Sequence, residues 1–156
     1  MLPLFQWLEN SGIGATIRGS MVLFPIVGAM HLVALGLFGA AVLLVDMRLI
    51  GFGLTSRPVG ELEREARPWL LASLIGLIAS GFLLFLSESI KCYYSVPFWV
   101  KMTCLLSALV FTFTVRRRVA AANGTPSAPL SGRMTALISL SLWAGVLWGG
   151  RWIGFS

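Results

Sequence analysis

Four stretches of this chain are long and charge-free enough to cross a hydrocarbon slab, which constrains the fold more than any motif does. Between charged residues lie Gly19–Val45 (27 residues), Pro68–Ser87 (20), Cys92–Val115 interrupted only by Lys101, and Met134–Gly150 (17). At a rise of about 1.5 Å per residue the first two span a core of about 30 Å unaided. The fourth spans it with its flanking arginines reaching to the interfaces. Composition agrees, with 57% hydrophobic residues, 12% charged and a mean hydropathy of +0.87, far from the balance of a soluble domain. The expected fold is all-α: an integral membrane four-helix bundle, one membrane domain over 1–156, with spans at about 20–45, 68–87, 97–115 and 134–152.

The first long stretch exceeds a signal-peptide core and carries no A-x-A cleavage pattern, so it reads as a retained span. Ahead of it, Leu2, Leu4, Phe5, Trp7 and Leu8 alternate with Gln6, Glu9 and Asn10. A short interfacial helix lying on the membrane is expected there, followed by a loop at 11–14. Arg48, Arg57, Arg64, Arg67, Arg116, Arg117, Arg118 and Arg133 fall in the loops after spans 1 and 3. Arg18, Lys91, Lys101 and Arg151 fall on the other side. Lys and Arg are retained on the cytoplasmic side, which puts both termini outside a bacterial inner (cytoplasmic) membrane. The net charge of +6 then reports topology and attraction to anionic lipid, with no nucleic-acid partner expected.

Trp69, Trp99 and Trp152 sit where interfacial belts are expected. Pro68 and Pro97 open spans 2 and 3 as early helix residues. The charge-alternating segment 61–67 is read as a solvated extension of span 2, and the turn-rich segment 123–129 as a flexible connector. Small residues recur every four positions at Ala72, Gly76 and Ser80 in span 2 and at Ser141, Gly145 and Gly149 in span 4, and Gly36 and Gly39 thin span 1. Such spacing lets helix backbones approach closely, within the chain or against another subunit or a second copy.

One residue stands out chemically. His31 is the sole histidine, held at hydrocarbon depth where an ionisable ring is costly and points to function. Val27, Gly28, Ala34 and Leu35 lie three and four residues away, with Phe24 and Phe38 one turn further. A neutral imidazole is a usual axial ligand for haem iron and also suits copper, although no second histidine or Met-x-x-Met cluster supports copper. The alternative is a histidine hydrogen-bonded to a neighbouring helix. From the span starts His31 lies roughly 16 Å and Lys101 roughly 6 Å below the outer surface. Lys101, Arg18 and Arg151 would then gather above His31, where they could hold the propionates of an upright haem b. Snorkelling and helix-end anchoring are the plainer roles for those cations. A lone histidine cannot clamp a haem from both sides within one chain.

Cys104 reads as a small buried hydrophobe and Cys92 as a free thiol or an intermolecular contact on the outer side. No G-x-S-x-G, H-E-x-x-H, phosphate loop or dinucleotide fingerprint is present. Hydrolase and nucleotide chemistry therefore have no support.

The segments Ile17-Arg18-Gly19-Ser20, Phe24-Pro25-Ile26, His31 and Val45-Asp46-Met47-Arg48-Leu49-Ile50-Gly51 resemble a bacterial family of uncharacterised four-span membrane proteins. Pro68-Trp69, Phe98 with Lys101, and Gly150-Arg151 match its later landmarks. The resemblance covers nearly the whole chain and implies the fold, with no activity attached. A more distant likeness joins His31 and Phe98-Trp99-Val100-Lys101 to the membrane protoporphyrinogen oxidases of bacteria, four-helix proteins associated with haem b. The copper-resistance membrane proteins share a similar bundle. The turn at Asp46–Arg48 departs from the oxidase pattern, so its activity is not carried over.

Three functions follow as expectations. The first is a haem-b-binding membrane subunit passing electrons near the outer face, with His31 as the metal ligand and Lys101, Arg18 and Arg151 on the propionates. The second is a non-catalytic accessory subunit of a larger membrane complex. The third is a small enzyme or transporter using His31 for proton transfer.

Overall fold

A computed structural model describes residues 2–53, 56–122 and 130–153, and these are helical almost throughout. In chain order the helices are α1 (Leu2–Glu9), α2 (Gly12–Gly19), α3 (Leu23–Ile50), α4 (Val59–Ser87), α5 (Ser89–Tyr94), α6 (Val96–Phe111), a π-turn (Thr112–Arg116), α7 (Arg117–Ala122) and α8 (Leu130–Ile153). Four helical stretches are long and apolar enough to cross a membrane: Leu23–Ile50, Val59–Ser87, Val96–Ala122 and Leu130–Ile153. Exposed Trp99 and Trp152 lie near helix ends, as interfacial belts require, whereas exposed Trp69 lies ten residues into the Val59–Ser87 helix. The connector expected at 123–129 lies outside the described residues.

The helices run past the charges that delimit the uncharged stretches. Asp46 and Arg48, expected in a turn, lie within α3, which ends only at Gly51 with φ 94°. There Phe52 N–H reaches back to the Met47 carbonyl at 2.9 Å, a closure that needs the left-handed conformation glycine adopts freely. Arg48 Nε donates to the Arg57 carbonyl at 3.0 Å and ties down the following loop. The segment 61–67 is helical as expected, which places Pro68 inside α4 rather than at its start. Its ring removes one backbone donor there. Pro97 does lie in the first turn of α6.

The N-terminal segment forms two helices, because Ser11 caps α2 by accepting from Gly14 N–H where a loop was expected,. Phe5 packs edge-on against Phe85, with ring centroids 5.6 Å apart. A Cβ built on Gly14 would lie 2.5 Å from the Leu86 carbonyl oxygen. Glycine is therefore what lets α2 press against the end of α4. Leu4 and Trp7 remain exposed, the face an interfacial helix presents to lipid.

In the bundle α3 packs most extensively on α4, and α6 on α8, with α3 and α8 joining the two pairs. Phe38, Ala41, Val42, Leu70, Ala108, Trp143 and Val146 form the central core. Val45, Leu49, Val59, Ala120 and Ala136 form a second cluster towards the other end. Small residues permit these contacts: a Cβ on Gly145 would sit 2.9 Å from Cys104 Sγ, and one on Gly149 3.0 Å from the Pro97 carbonyl oxygen. Gly76 faces Ala34 in the same way at 3.4 Å. Ala72 and Ser141, counted in the same motifs, face outward instead.

Candidate functional site

His31 lies on the stripe of α3 that carries Phe38, Val42, Val45 and Leu49, the face turned into the bundle,. Its ring meets α4, where Nδ1 and Ser80 Oγ are 2.9 Å apart. Ser80 Oγ is itself 2.6 Å from the Gly76 carbonyl oxygen. The hydroxyl has one proton, and that short contact takes it, so Oγ accepts from His31 Nδ1–H. The network assigns the tautomer: Nδ1 is protonated and Nε2 carries the lone pair. The ring also lies on Gly81, whose built Cβ would stand 3.2 Å from His31 Cε1. The plainer expectation, a histidine bonded to a neighbouring helix, is thus what the geometry displays at Nδ1.

Lys101 faces the same region from α6. Its aliphatic stem crosses the bare backbone of Gly149 and Gly150, with Nζ 3.7 Å from a Cβ built on Gly150. Its charge bears electrostatically on the His31 ring. Above this level Phe85 of α4 and Phe98 of α6 stack with centroids 5.6 Å apart and planes at 13°. Phe85 is one turn above Gly81, and Phe98 one turn above Lys101,.

The other cations of the expected basic rim are each engaged in a contact of their own. Arg18 pairs with Glu9 Oε1 at 2.5 Å, and the other oxygen of Glu9 accepts from Ile90 N–H. These bonds tie α1, α2 and α5 together at one end of the bundle. Arg151 is exposed near the end of α8 and engaged in an interaction of its own. Phe38, on the same face of α3 as His31, packs on Trp143 at 4.5 Å between centroids. Cys92 is a free thiol, the first of its two expected states; it is buried, and burial pushes its thiol up to about 11,. Cys104 is partly buried and packs on Gly145.

A second polar cluster was missed by the sequence reading. Arg116, expected in a cytoplasmic loop, is 2% exposed and pairs with Asp46 Oδ1 at 3.2 Å. Asp46 is fully buried, and its other oxygen accepts from Ser139 Oγ at 2.6 Å. Arg116 Nη1 also reaches the Val42 carbonyl at 3.4 Å. Arg116 ends the π-turn, whose extra residue sets the following positions back by about 100° relative to uninterrupted α-helix. One signal for the pair was available: Asp46 and Arg116 each end an uncharged stretch, on what the topology makes the same side of the membrane.

This arrangement defines a polytopic membrane protein with polar groups concentrated at two levels of a helical bundle. The chain belongs to a family of unknown function (DUF6644), whose model matches residues 4–156. No curated protein and no solved structure matches it. Among the described residues no three His, Cys, Asp or Glu side chains gather into a metal site. Of the residues expected around His31, Lys101 bears on its ring, Arg18 pairs with Glu9, Phe38 packs on Trp143, and Phe24 is exposed.

Proposed function

We propose that this chain is a non-catalytic accessory subunit, embedded in a bacterial inner membrane with both termini outside, that packs against further membrane subunits or a second copy. The observation that carries the reading is the outward face of α3. Gly36 and Ala40 lie one turn apart there, with Ala29 two turns before Gly36, all exposed. A Cβ on Gly36 would meet nothing within 4 Å, whereas Gly76, Gly145 and Gly149 are used inside the bundle. A close-approach surface that the chain itself does not use fits an intermolecular helix contact. For the orientation, removing the buried Arg48 and Arg116 leaves Arg57, Arg64, Arg67, Arg117, Arg118 and Arg133 against Arg18, Lys91, Lys101 and Arg151, and the bias keeps its direction.

Gentle isolation from native membranes tests this. Wild-type protein should migrate as a stoichiometric assembly, and Gly36→Leu should release a folded monomer. A wild-type monomer, or an assembly indifferent to Gly36→Leu, refutes the reading.

A second reading keeps haem b with His31 as axial ligand, because Nε2 is the nitrogen left with a lone pair and Nδ1 is held as axial imidazoles usually are. Lys101 would then hold a propionate. The absorption spectrum decides it, since a colourless wild-type protein, or a Soret band surviving in His31→Ala, ends that reading.

A further inference from the structure

At the end of the bundle where α2 leads into α3 and α4 into α5, the molecule carries an open groove of about 460 Å³. It is lined by Arg18 and Ser20, by Met21, Phe24 and Pro25, and by Glu88. Its volume falls in the range of about 300–1,000 Å³ typical of small-ligand sites. The level of the groove follows from helix length. At about 1.5 Å per residue the 28 residues of α3 rise about 42 Å, the thickness of a hydrocarbon core with a headgroup layer on each side. The first turn of α3, with Phe24 and Pro25, therefore stands among headgroups. Met21 is 95% exposed and Phe24 36%, so apolar surface open to lipid adjoins the charged groups.

Those charges are of both signs and are not balanced within the chain. Arg18 gives Nη1 to Glu9 Oε1, yet its side chain remains 44% exposed, and a guanidinium has five N–H donors to offer. Ser20 Oγ accepts from Leu23 N–H at 3.1 Å, and a hydroxyl that accepts can also donate. The N-terminal end of α3 adds positive potential on this side. Glu88, where α4 passes into α5, brings a carboxylate to the same groove. It is in no ion pair among the described residues, and the neighbouring Lys91 is exposed and does not line the groove. With Glu9 counted, two carboxylates face one guanidinium. A purely anionic ligand would bring its phosphate to Arg18 and leave Glu88 without a counter-ion. A ligand carrying phosphate and ammonium together satisfies both sides.

We propose that this groove binds the headgroup of a phospholipid that carries a phosphate and a primary ammonium, the ethanolamine class. The phosphate accepts from Arg18 and Ser20 Oγ, the ammonium donates to the Glu88 carboxylate, and the acyl chains run down over Met21 and Phe24. Both polar contacts are charge-assisted, the stronger kind of hydrogen bond. The bound lipid joins the α2–α3 junction to the α4–α5 junction. The proposal is independent of the subunit role and requires no haem.

Native mass spectrometry of the full chain, stripped of lipid in mild detergent and titrated with lipids of identical acyl chains, identifies the ligand by mass. Phosphatidylethanolamine should give one saturable adduct per chain. Phosphatidylglycerol, which has no ammonium, and phosphatidylcholine, whose ammonium has no N–H, should each bind about tenfold more weakly. Glu88→Gln should remove most of the preference for phosphatidylethanolamine over phosphatidylglycerol, because the side chain then neither draws the ammonium nor repels the phosphate. The proposal is overturned by wild-type protein that holds the three lipids equally, by a preference for phosphatidylglycerol, which would make this an anion site of Arg18 alone, or by Glu88→Gln with the wild-type preference. If Glu88→Gln does not fold, Met21→Asp takes its place: a carboxylate at this exposed lining position should weaken phosphatidylethanolamine binding, and an unchanged affinity overturns the proposal. Lipid is counted per chain at whatever assembly mass the protein shows, so failure here leaves the subunit reading standing.

Discussion

Replacing Arg116 by Met should destabilise the bundle by about 3–5 kcal/mol, because it strands a buried carboxylate. Asp46 is fully buried, and its remaining partner would be Ser139 Oγ at 2.6 Å. At the observed separation of 3.2 Å, the attraction between the charges is about 5 kcal/mol for an effective dielectric of about 20. In the native state that attraction offsets the desolvation of both groups. It follows that Asp46→Leu with Arg116→Met should cost far less than either single change, since no uncompensated charge is left. Reversible unfolding in mixed micelles, followed by tryptophan fluorescence, measures this. Trp143 is a suitable reporter, because it packs on Phe38 and donates to Thr112 Oγ1 at 3.3 Å. A single Arg116→Met costing under about 1 kcal/mol, or a double variant as unstable as the single, would refute the reasoning.

Other consequences can be measured separately. Gly81→Val should push the imidazole away, because a Cβ alone already stands 3.2 Å from Cε1; the spectrum of ¹⁵N-histidine-labelled protein should lose the single tautomer, and an unchanged spectrum would contradict the packing. Gly149→Ala should cost about 1–3 kcal/mol by forcing α6 from α8, since its Cβ would meet the Pro97 carbonyl oxygen at 3.0 Å and the Lys101 Cα at 3.1 Å; unfolding no easier than wild type would show that the helices yield freely. Cys92 should resist maleimide at pH 8 in the folded protein while reacting in denaturant. Because its thiol is raised from 9.0 to about 11, the unfolded chain ionises first, so stability should fall between about pH 9 and pH 11 and level off above. A Cys92→Ala variant with the same pH profile would remove Cys92 as the cause.

The spans were legible because transfer into hydrocarbon depends mainly on local composition, and four uncharged stretches announce four helices. Their ends were less legible. Asp46, Arg48 and Arg116 look like loop residues by composition, yet each is buried in the bundle. The partner of Arg116 stands 70 residues away, and the π-turn that directs its guanidinium inward has no composition of its own. For the candidate site, His31 was legible as an expensive residue and Lys101 as its companion, both from depth counted along helices. The pairing of Arg18 with Glu9 was not, because it depends on α1 and α2 folding against the end of α4.

By itself the sequence determined the class of protein, the number of long apolar helices and the depth of His31 and Lys101 along them. Those properties add up residue by residue along the chain, as the cost of leaving water does. Tertiary structure alone decided which charges neutralise each other and which nitrogen of His31 holds the proton. It also decided that the interior closes around Phe38 and Trp143. Those outcomes depend on the rotation and spacing of helices distant in sequence, set by bare glycine backbones at 76, 81, 145 and 149 and by one inserted residue in the π-turn.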